Sequence, residues 1–493
     1  MNKIIFKNFG NQKNWINGKY QNSNSNKNIS VVSPYYDREI ATIPDSNQQD
    51  LNFAVECAYS AYNDWVKTNI KDRAEIMFSF KTIIESNIEE LSYLIALDNG
   101  KTIEDAKASI LRGKEVVEFA TSLPNILKGD SSEVSKGITC TMTHEPLGVV
   151  AGITPFNFPA MVPLWMIPLA ITTGNCFILK PSEQTPLSAL KLAEYLKLSG
   201  LPDGVFNVLN GSKKAVEDIC DHPKIKAVAF VGSSDIAKIV YSRSSVQGKR
   251  ALCLGGAKNH MIVVPDADLD STAKGLLASS MGSGGQRCMA ASVAIGVSDI
   301  NHIVNKLVDY AKHFVLGKDM GAIISKPALE RIKKHINDAE KMGAKILIDG
   351  RNPILPSDYK KGYWLGVTIL DYVDPAWPCA TNEIFGPVLS IIRTKNLEEA
   401  MKIENDNPYG NAAAVFTTSG EVAKTITENA SSGMVGINIG VPVPREPFSF
   451  GGWNDSKYGH GDITGKSGIG FWTNLKKVTS RWPESGDKWK KYF

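Results

Sequence analysis

The run Gly282-Ser283-Gly284-Gly285-Gln286-Arg287-Cys288-Met289-Ala290 places one cysteine behind a glycine-rich stretch and beside a fixed positive charge. The thiolate is the nucleophilic form of cysteine, and a neighbouring cation or inward-pointing main-chain N–H groups lower the thiol pKa. Glycine lets a backbone approach a substrate closely because no Cβ intervenes. The stretch therefore suits covalent catalysis by Cys288. It equally suits a buried small hydrophobe, the commoner fate of a lone cysteine. Taken alone it leaves both readings open.

Two further stretches have physical content. Phe230-Val231-Gly232-Ser233-Ser234 closes a strand-like run and opens a helical one, where free N–H groups and the helix dipole favour phosphate. Lys180-Pro181-Ser182-Glu183 closes the strand-like run before it. Both would sit at the carboxyl edge of a parallel sheet, where ligands bind. A lysine and a glutamate there suit a ribose; an ordinary turn and a solvated ion pair are the plainer alternatives. Other signatures are missing: no G-x-G-x-x-G follows a strand, no His-Glu-x-x-His or Cys/His cluster suggests a metal, and no G-x-S-x-G elbow occurs. Gly461-Asp462-Ile463-Thr464-Gly465-Lys466-Ser467 is one residue short of a phosphate-binding P-loop.

The elements that must carry these residues follow from periodicity. Trp15-Ile16-Asn17-Gly18-Lys19-Tyr20 reads as a hairpin with a type I′ turn. Helical patterns cover Leu51–Asp64, Asp72–Ser86, Ile88–Asn99 and Ile103–Phe119, and Ser122–Thr143 reads as an extended connection. Strands are then predicted at Val149–Ile153, Cys176–Leu179, Val205–Val208 and Ala227–Val231, with helices Met161–Ile171, Leu187–Ser199 and Lys213–Ile219 between them. A second alternating block starts at Met261–Val264 and runs through Ser292–Val297, Lys345–Ile348, Val388–Ile392, Ala412–Phe416 and Met434–Asn438. Such alternation predicts α/β architecture with parallel sheets, most simply two domains in tandem.

Length and composition agree. A chain of 493 residues exceeds what one core supports, so two or three domains are expected. With 43% hydrophobic and 22% charged residues and a net charge of +4, it reads as globular, without a case for nucleic acid or membrane as main partner. Seven scattered cysteines, none in C-x-x-C, suit a reducing compartment. The N-terminus has no signal-peptide pattern, so cytoplasm is the expectation, with an organelle matrix left open. The uncharged stretch Leu147–Leu179 carries four prolines, Pro155, Pro159, Pro163 and Pro168, and so reads as buried core rather than a membrane span.

Together the motifs closely resemble the aldehyde dehydrogenase superfamily across nearly the whole chain. They are Thr154-Pro155-Phe156-Asn157-Phe158-Pro159, Lys180-Pro181-Ser182-Glu183-Gln184-Thr185-Pro186, Phe230-Val231-Gly232-Ser233, Leu254-Gly255-Gly256, Gly285-Gln286-Arg287-Cys288 and Glu383-Ile384-Phe385-Gly386-Pro387. Within that superfamily the chain is most similar to acylating methylmalonate-semialdehyde dehydrogenases, through Pro155-Phe156-Asn157, Ala257-Lys258-Asn259-His260, Gln286–Ala290, and Arg112-Gly113 ahead of Val116-Val117-Glu118. The resemblance implies an NAD-binding domain at 1–122 and 141–251, a catalytic domain at 252–440, and a β oligomerisation arm at 123–140 and 465–485. It implies Cys288 as nucleophile, with the Asn157 amide and the Cys288 N–H as oxyanion hole. Thr154, Phe156, Lys180, Glu183, Gln184, Ser233 and Glu383 would line an NAD site, Glu183 selecting NAD over NADP at the ribose. Arg112 and Arg287 would grip a substrate carboxylate, coenzyme A would take the acyl group with loss of carbon dioxide, and the assembly would be a homotetramer.

One departure separates two chemistries. Hydrolytic members carry a glutamate as general base two residues before the Gly-Gly; here that position is Cys253. Water, with a pKa near ~15.7, needs a base to attack a thioester, whereas a thiol with a pKa near ~8.5 is already partly ionised at neutral pH. The loss favours transfer to coenzyme A over hydrolysis. A hydrolytic enzyme with another base, and a catalytically silent protein on this scaffold, stand as the alternatives. Family geometry would also bring Cys253 near Cys288, a pairing that oxidation could exploit.

Overall fold

The computed structural model describes residues 3–482. Its first sheet has eight strands, with five parallel ones at the centre: Phe206–Val208, Cys176–Lys180, Val149–Ile153, Ile225–Val231 and Arg250–Leu254, in that spatial order. Antiparallel strands close both edges, the Asn14–Ile16/Lys19–Gln21 hairpin on one side and Lys457–Tyr458 on the other. The hairpin turn has positive φ at Asn17 and Gly18, as a type I′ turn requires. The strand order reverses between Val149–Ile153 and Ile225–Val231, so the topological switch point falls where Thr154 and Gly232 follow their strands.

The second sheet has seven strands, ordered Lys345–Ile348, Thr368–Asp371, Val388–Thr394, Ala291–Val297, Asn259–Val263, Ala412–Phe416, Met434–Ile437. All pair in parallel except the first. Each sheet packs its own core, one around Ile153, Leu164 and Val228, the other split over the two faces around Ile262 and Met261. The tandem α/β reading is thus the architecture.

The uncharged stretch resolves into strand Val149–Ile153, helix Met161–Thr172 and strand Cys176–Lys180, and every residue of that helix is buried. Pro168 lacks the N–H that would bond Leu164, a loss tolerated here by burial on all sides. Among the described residues no helix is long and apolar enough to cross a membrane.

Some expectations shift. Ser122–Thr143, expected to be extended throughout, begins with a short helix, Leu123–Ile126, before strands Asp130–Ser135 and Ile138–Pro146. These strands join Thr473–Arg481 in a three-stranded sheet. The segment 465–485, expected to belong wholly to this arm, divides: Gly465–Trp472 is a helix packed on Met161–Thr172, burying Ile469, Phe471 and Trp472. Residues 483–485 lie outside the described residues. Strands Arg250–Leu254 and Thr368–Asp371, and the pair Asn28–Ser33/Arg38–Pro44, carry no sequence expectation at all. The first two are short and buried throughout or nearly so, which leaves no alternation to read.

Candidate active site

Cys288 lies where two cavities meet. The larger, of about 470 Å³, opens at the carboxyl edge of the first sheet. Thr154, Phe156, Lys180, Glu183, Gln184, Ser233 and Glu383 all line it, together with Asn157 and Cys288. The smaller, of about 190 Å³, is lined by Arg112 and Arg287 with Asp105, Ser109, Trp165 and Phe450, and again by Cys288. Phe158 borders both. The residues expected from the sequence are thus brought together in two groups, on either side of one sulfur.

The nucleophile's backbone is shaped by what surrounds it. Ser283, Gly284 and Gly285 have left-handed φ, and a Cβ on Gly285 would meet the Gly386 carbonyl oxygen at 2.1 Å. Only glycine lets the Cys288 loop and the Glu383–Pro387 segment approach so closely. The Cys288 carbonyl accepts hydrogen bonds from the side-chain amides of Asn259 (2.8 Å) and Asn411 (3.0 Å). A carbonyl and the next N–H point in opposite directions in one planar peptide, so this clamp aims the Met289 N–H towards the sulfur. The N–H groups of Cys288 and Met289 both lower the thiol pKa, as does the Arg287 charge.

These effects do not win in the ligand-free chain. Cys288 is half-buried, and what surface it has opens onto walled cavities rather than bulk water. Burial, with the negative charge of Glu383 adding to it, pushes the thiol up to about 11. The resting sulfur is therefore protonated at neutral pH. Glu383 is held by the Ala257 N–H (2.9 Å), and its own pKa is raised by burial. A Cβ on Gly256 would fall 2.5 Å from its carboxylate, so that glycine is what admits it. Nearby, Lys101 is buried over the Phe158 ring at 4.3 Å, and burial lowers its pKa to about 8. Asn157, 4% exposed, donates one amide hydrogen to the Gln286 carbonyl at 3.0 Å, fixing the amide beside Cys288.

The larger cavity fits a dinucleotide on its own features. Ser233 N-caps the helix Ser234–Val246 without a side-chain cap, leaving that terminus's N–H groups open to a phosphate. The Thr154 hydroxyl is buried without a partner. Lys180, almost wholly buried at the strand end, meets the partly exposed Glu183 at 3.0 Å. Gly461–Ser467 stands elsewhere: the Asp462 N–H donates to Ser467 Oγ and its carboxylate pairs with Lys457, an internally satisfied turn that borders neither cavity.

The two arginines of the smaller cavity differ. The Arg112 guanidinium is taken by the Glu115 carboxylate and the Pro444 carbonyl, with Glu446 at 3.6 Å. Arg287 donates to the Ala278 and Ser279 carbonyls (2.5 and 2.9 Å), has no carboxylate within ion-pair distance among the described residues, and keeps a buried Nε with no partner. Arg112 and Arg287, both expected to grip a substrate carboxylate, are thus placed on one cavity with different partners. Cys253 is fully buried in strand Arg250–Leu254 and lines neither cavity. Burial pushes its thiol far above the ordinary range, and the thiol charge it couples to is that of Cys220 rather than Cys288. An easily oxidised Cys253–Cys288 pair finds no support there, because a redox-active thiol needs access and thiolate character. Sequence reasoning missed the clamp residue Asn411, the role of Asn259, and the acidic neighbours Asp105, Glu115 and Glu446; only Asn259 lay inside a motif.

Tandem parallel-sheet domains, a cysteine at their shared cleft and a dinucleotide-sized cavity at a switch point define an aldehyde-oxidising scaffold. Residues 20–478 match the aldehyde dehydrogenase family, and the chain belongs to it. It is 42% identical over 95% of its length to the malonate-semialdehyde dehydrogenase of Pseudomonas aeruginosa, covering 96% of that protein. It is likewise 42% identical over 96% of its length to the acylating mitochondrial methylmalonate-semialdehyde/malonate-semialdehyde dehydrogenase of Mus musculus, covering 89% of it. A Sinorhizobium meliloti protein assigned as a methylmalonate-semialdehyde dehydrogenase, solved in complex with NAD, superposes with a TM-score of 0.95 at 42% identity, covering 97% of this chain and 99% of that one.

Proposed function

We propose that this chain oxidises malonate or methylmalonate semialdehyde to the coenzyme A thioester with loss of carbon dioxide, using NAD. The observation that carries the reading is Cys288 on the shared wall of a dinucleotide-sized cavity and a small one bearing the unmatched Arg287. In this account the Cys288 sulfur, once ionised, adds to the aldehyde carbon. The oxyanion is held by the Asn157 amide and the Cys288 N–H, and each such donor is worth ~10²–10³ in rate. Lys180, Glu183, Ser233 and Glu383, which line the larger cavity, would hold NAD, and NAD when bound would supply the hydride acceptor. Arg287 pairs with the substrate carboxylate until carbon dioxide leaves, and coenzyme A thiol takes the acyl group from Cys288. The exposed sheet of Asp130–Ser135, Ile138–Pro146 and Thr473–Arg481 is the surface for assembly into a homotetramer. The cytoplasm or an organelle matrix is the compartment.

A hydrolytic reading has one observation in its favour: Glu383, with its raised pKa, shares a cavity with Cys288 and offers a base. Stoichiometry separates the two. With malonate semialdehyde, NAD and no coenzyme A, NADH should stop at one equivalent per chain; continued turnover would establish hydrolysis instead.

A further inference from the structure

The Ile103–Thr121 helix and the segment 441–450 meet in a cluster of four charges: Arg112 and Glu115 from the helix, Arg445 and Glu446 from the segment. The same segment contributes Val443 and Phe450 to the wall of the smaller cavity. Arg445 holds one Glu115 oxygen at 3.1 Å, and Arg112 holds the other. Glu446 is different. Its side chain is 7% exposed, and among the described residues its Oε2 has no hydrogen-bond partner and its one cation within ion-pair distance is Arg112 at 3.6 Å. That distance gives attraction without a hydrogen bond. A buried carboxylate oxygen left in that state is costly, and burial raises the group's pKa even though its own main-chain N–H and the Thr464 hydroxyl hydrogen-bond to it.

The geometry points to Glu446 as the residue that sets how strongly the smaller cavity prefers carboxylated aldehydes, by occupying Arg112 as an internal stand-in for the substrate carboxylate. A substrate carboxylate entering this cavity meets Arg287, which lines it and keeps a buried Nε without a partner among the described residues. To use Arg112 as well it must come close to the Glu446 charge, and like charges at such range in a poorly hydrated site oppose binding. Leaving Glu446 costs Arg112 no hydrogen bond, whereas a substrate carboxylate would give it a charge-assisted one. Glu446 thus acts as a competitor whose loss strengthens the carboxylate grip. The inference rests on the semialdehyde reading above.

The test compares KM for malonate semialdehyde and for propanal, each with saturating NAD and coenzyme A. Glu446→Gln keeps the shape and removes the charge. The ratio of the two KM values, malonate semialdehyde over propanal, should fall about tenfold or more, the effect of one additional charge-assisted hydrogen bond to the substrate. An unchanged or raised ratio would overturn the proposal. Glu446→Met, similar in length and suited to an apolar surrounding, is read the same way should the glutamine variant not fold. Wild-type enzyme that uses malonate semialdehyde no better than propanal would instead remove the semialdehyde reading itself.

Discussion

The two cavities that meet at Cys288 are built from different materials. The larger is framed by main chain, the strand ends at Ile153, Lys180 and Val231, the turns after them and an uncapped helix terminus at Ser233, with the side chains of Lys180, Glu183 and Glu383 set on that frame. The smaller is made of side chains from the Ile103–Thr121 helix, the Met161–Thr172 helix and the 441–450 segment, with its character set by which charges are matched. In the proposed function, backbone geometry would recognise what all dinucleotides share, while unmatched charge would recognise what distinguishes one aldehyde from another. Substitutions on the two sides should therefore move different kinetic constants.

Asn157→Ala bears on both, because its amide serves the reacting atoms. It should lower kcat about 10²- to 10³-fold in steady-state assays with NAD affinity unchanged; a loss of NAD binding alone would place Asn157 on the cofactor side. Arg287→Gln should raise KM for malonate semialdehyde about 10- to 100-fold relative to propanal, the range for a hydrogen-bonded charge pair. Arg112→Ala should raise the same ratio less, since Glu115 and Glu446 already occupy that guanidinium. Equal effects from the two arginines would break the distinction drawn between them. On the other side, Glu183→Gln should narrow the preference for NAD over NADP by about tenfold, with the aldehyde KM ratio unmoved.

The smallest expected effect concerns the sulfur itself. In cofactor-free enzyme the iodoacetamide reaction of Cys288 should follow a midpoint of about 11, the thiol being reactive only as pH rises through that value. A negative neighbour disfavours the thiolate, so Glu383→Gln should move the midpoint down and quicken alkylation at pH 8. An upward shift would mean that the Glu383 carboxylate assists ionisation.

The same contrast explains what the sequence made legible. Strand-end motifs such as Lys180–Glu183 and Phe230–Ser233 couple local sequence to local backbone, and the β/α alternation fixes which edge they share, so their meeting on the wall of the larger cavity could be read from the chain alone. Bounds for Ile88–Asn99, Val149–Ile153 and Ala412–Phe416 coincide with the observed elements because periodicity and flanking breakers are both present. The Arg112–Glu115 pair is an i,i+3 spacing on one helix, but the approach of Pro444 and Glu446 had no such signature, as it joins segments 332 residues apart, marked by the Pro444 carbonyl. Asn411, which clamps the Cys288 carbonyl from 123 residues away, was hidden for the same reason. Arg250–Leu254 escaped notice because a five-residue strand buried at four positions shows no alternation.

The most direct measurement is intact-protein and peptide mass spectrometry of the enzyme quenched with acid after mixing with malonate semialdehyde and NAD, coenzyme A omitted. The expected result is an acetyl group on Cys288 in stoichiometric amount, which disappears when coenzyme A is added before the quench, with acetyl-coenzyme A formed in its place. An unmodified Cys288 peptide under conditions where NADH has been produced would contradict covalent catalysis at this sulfur.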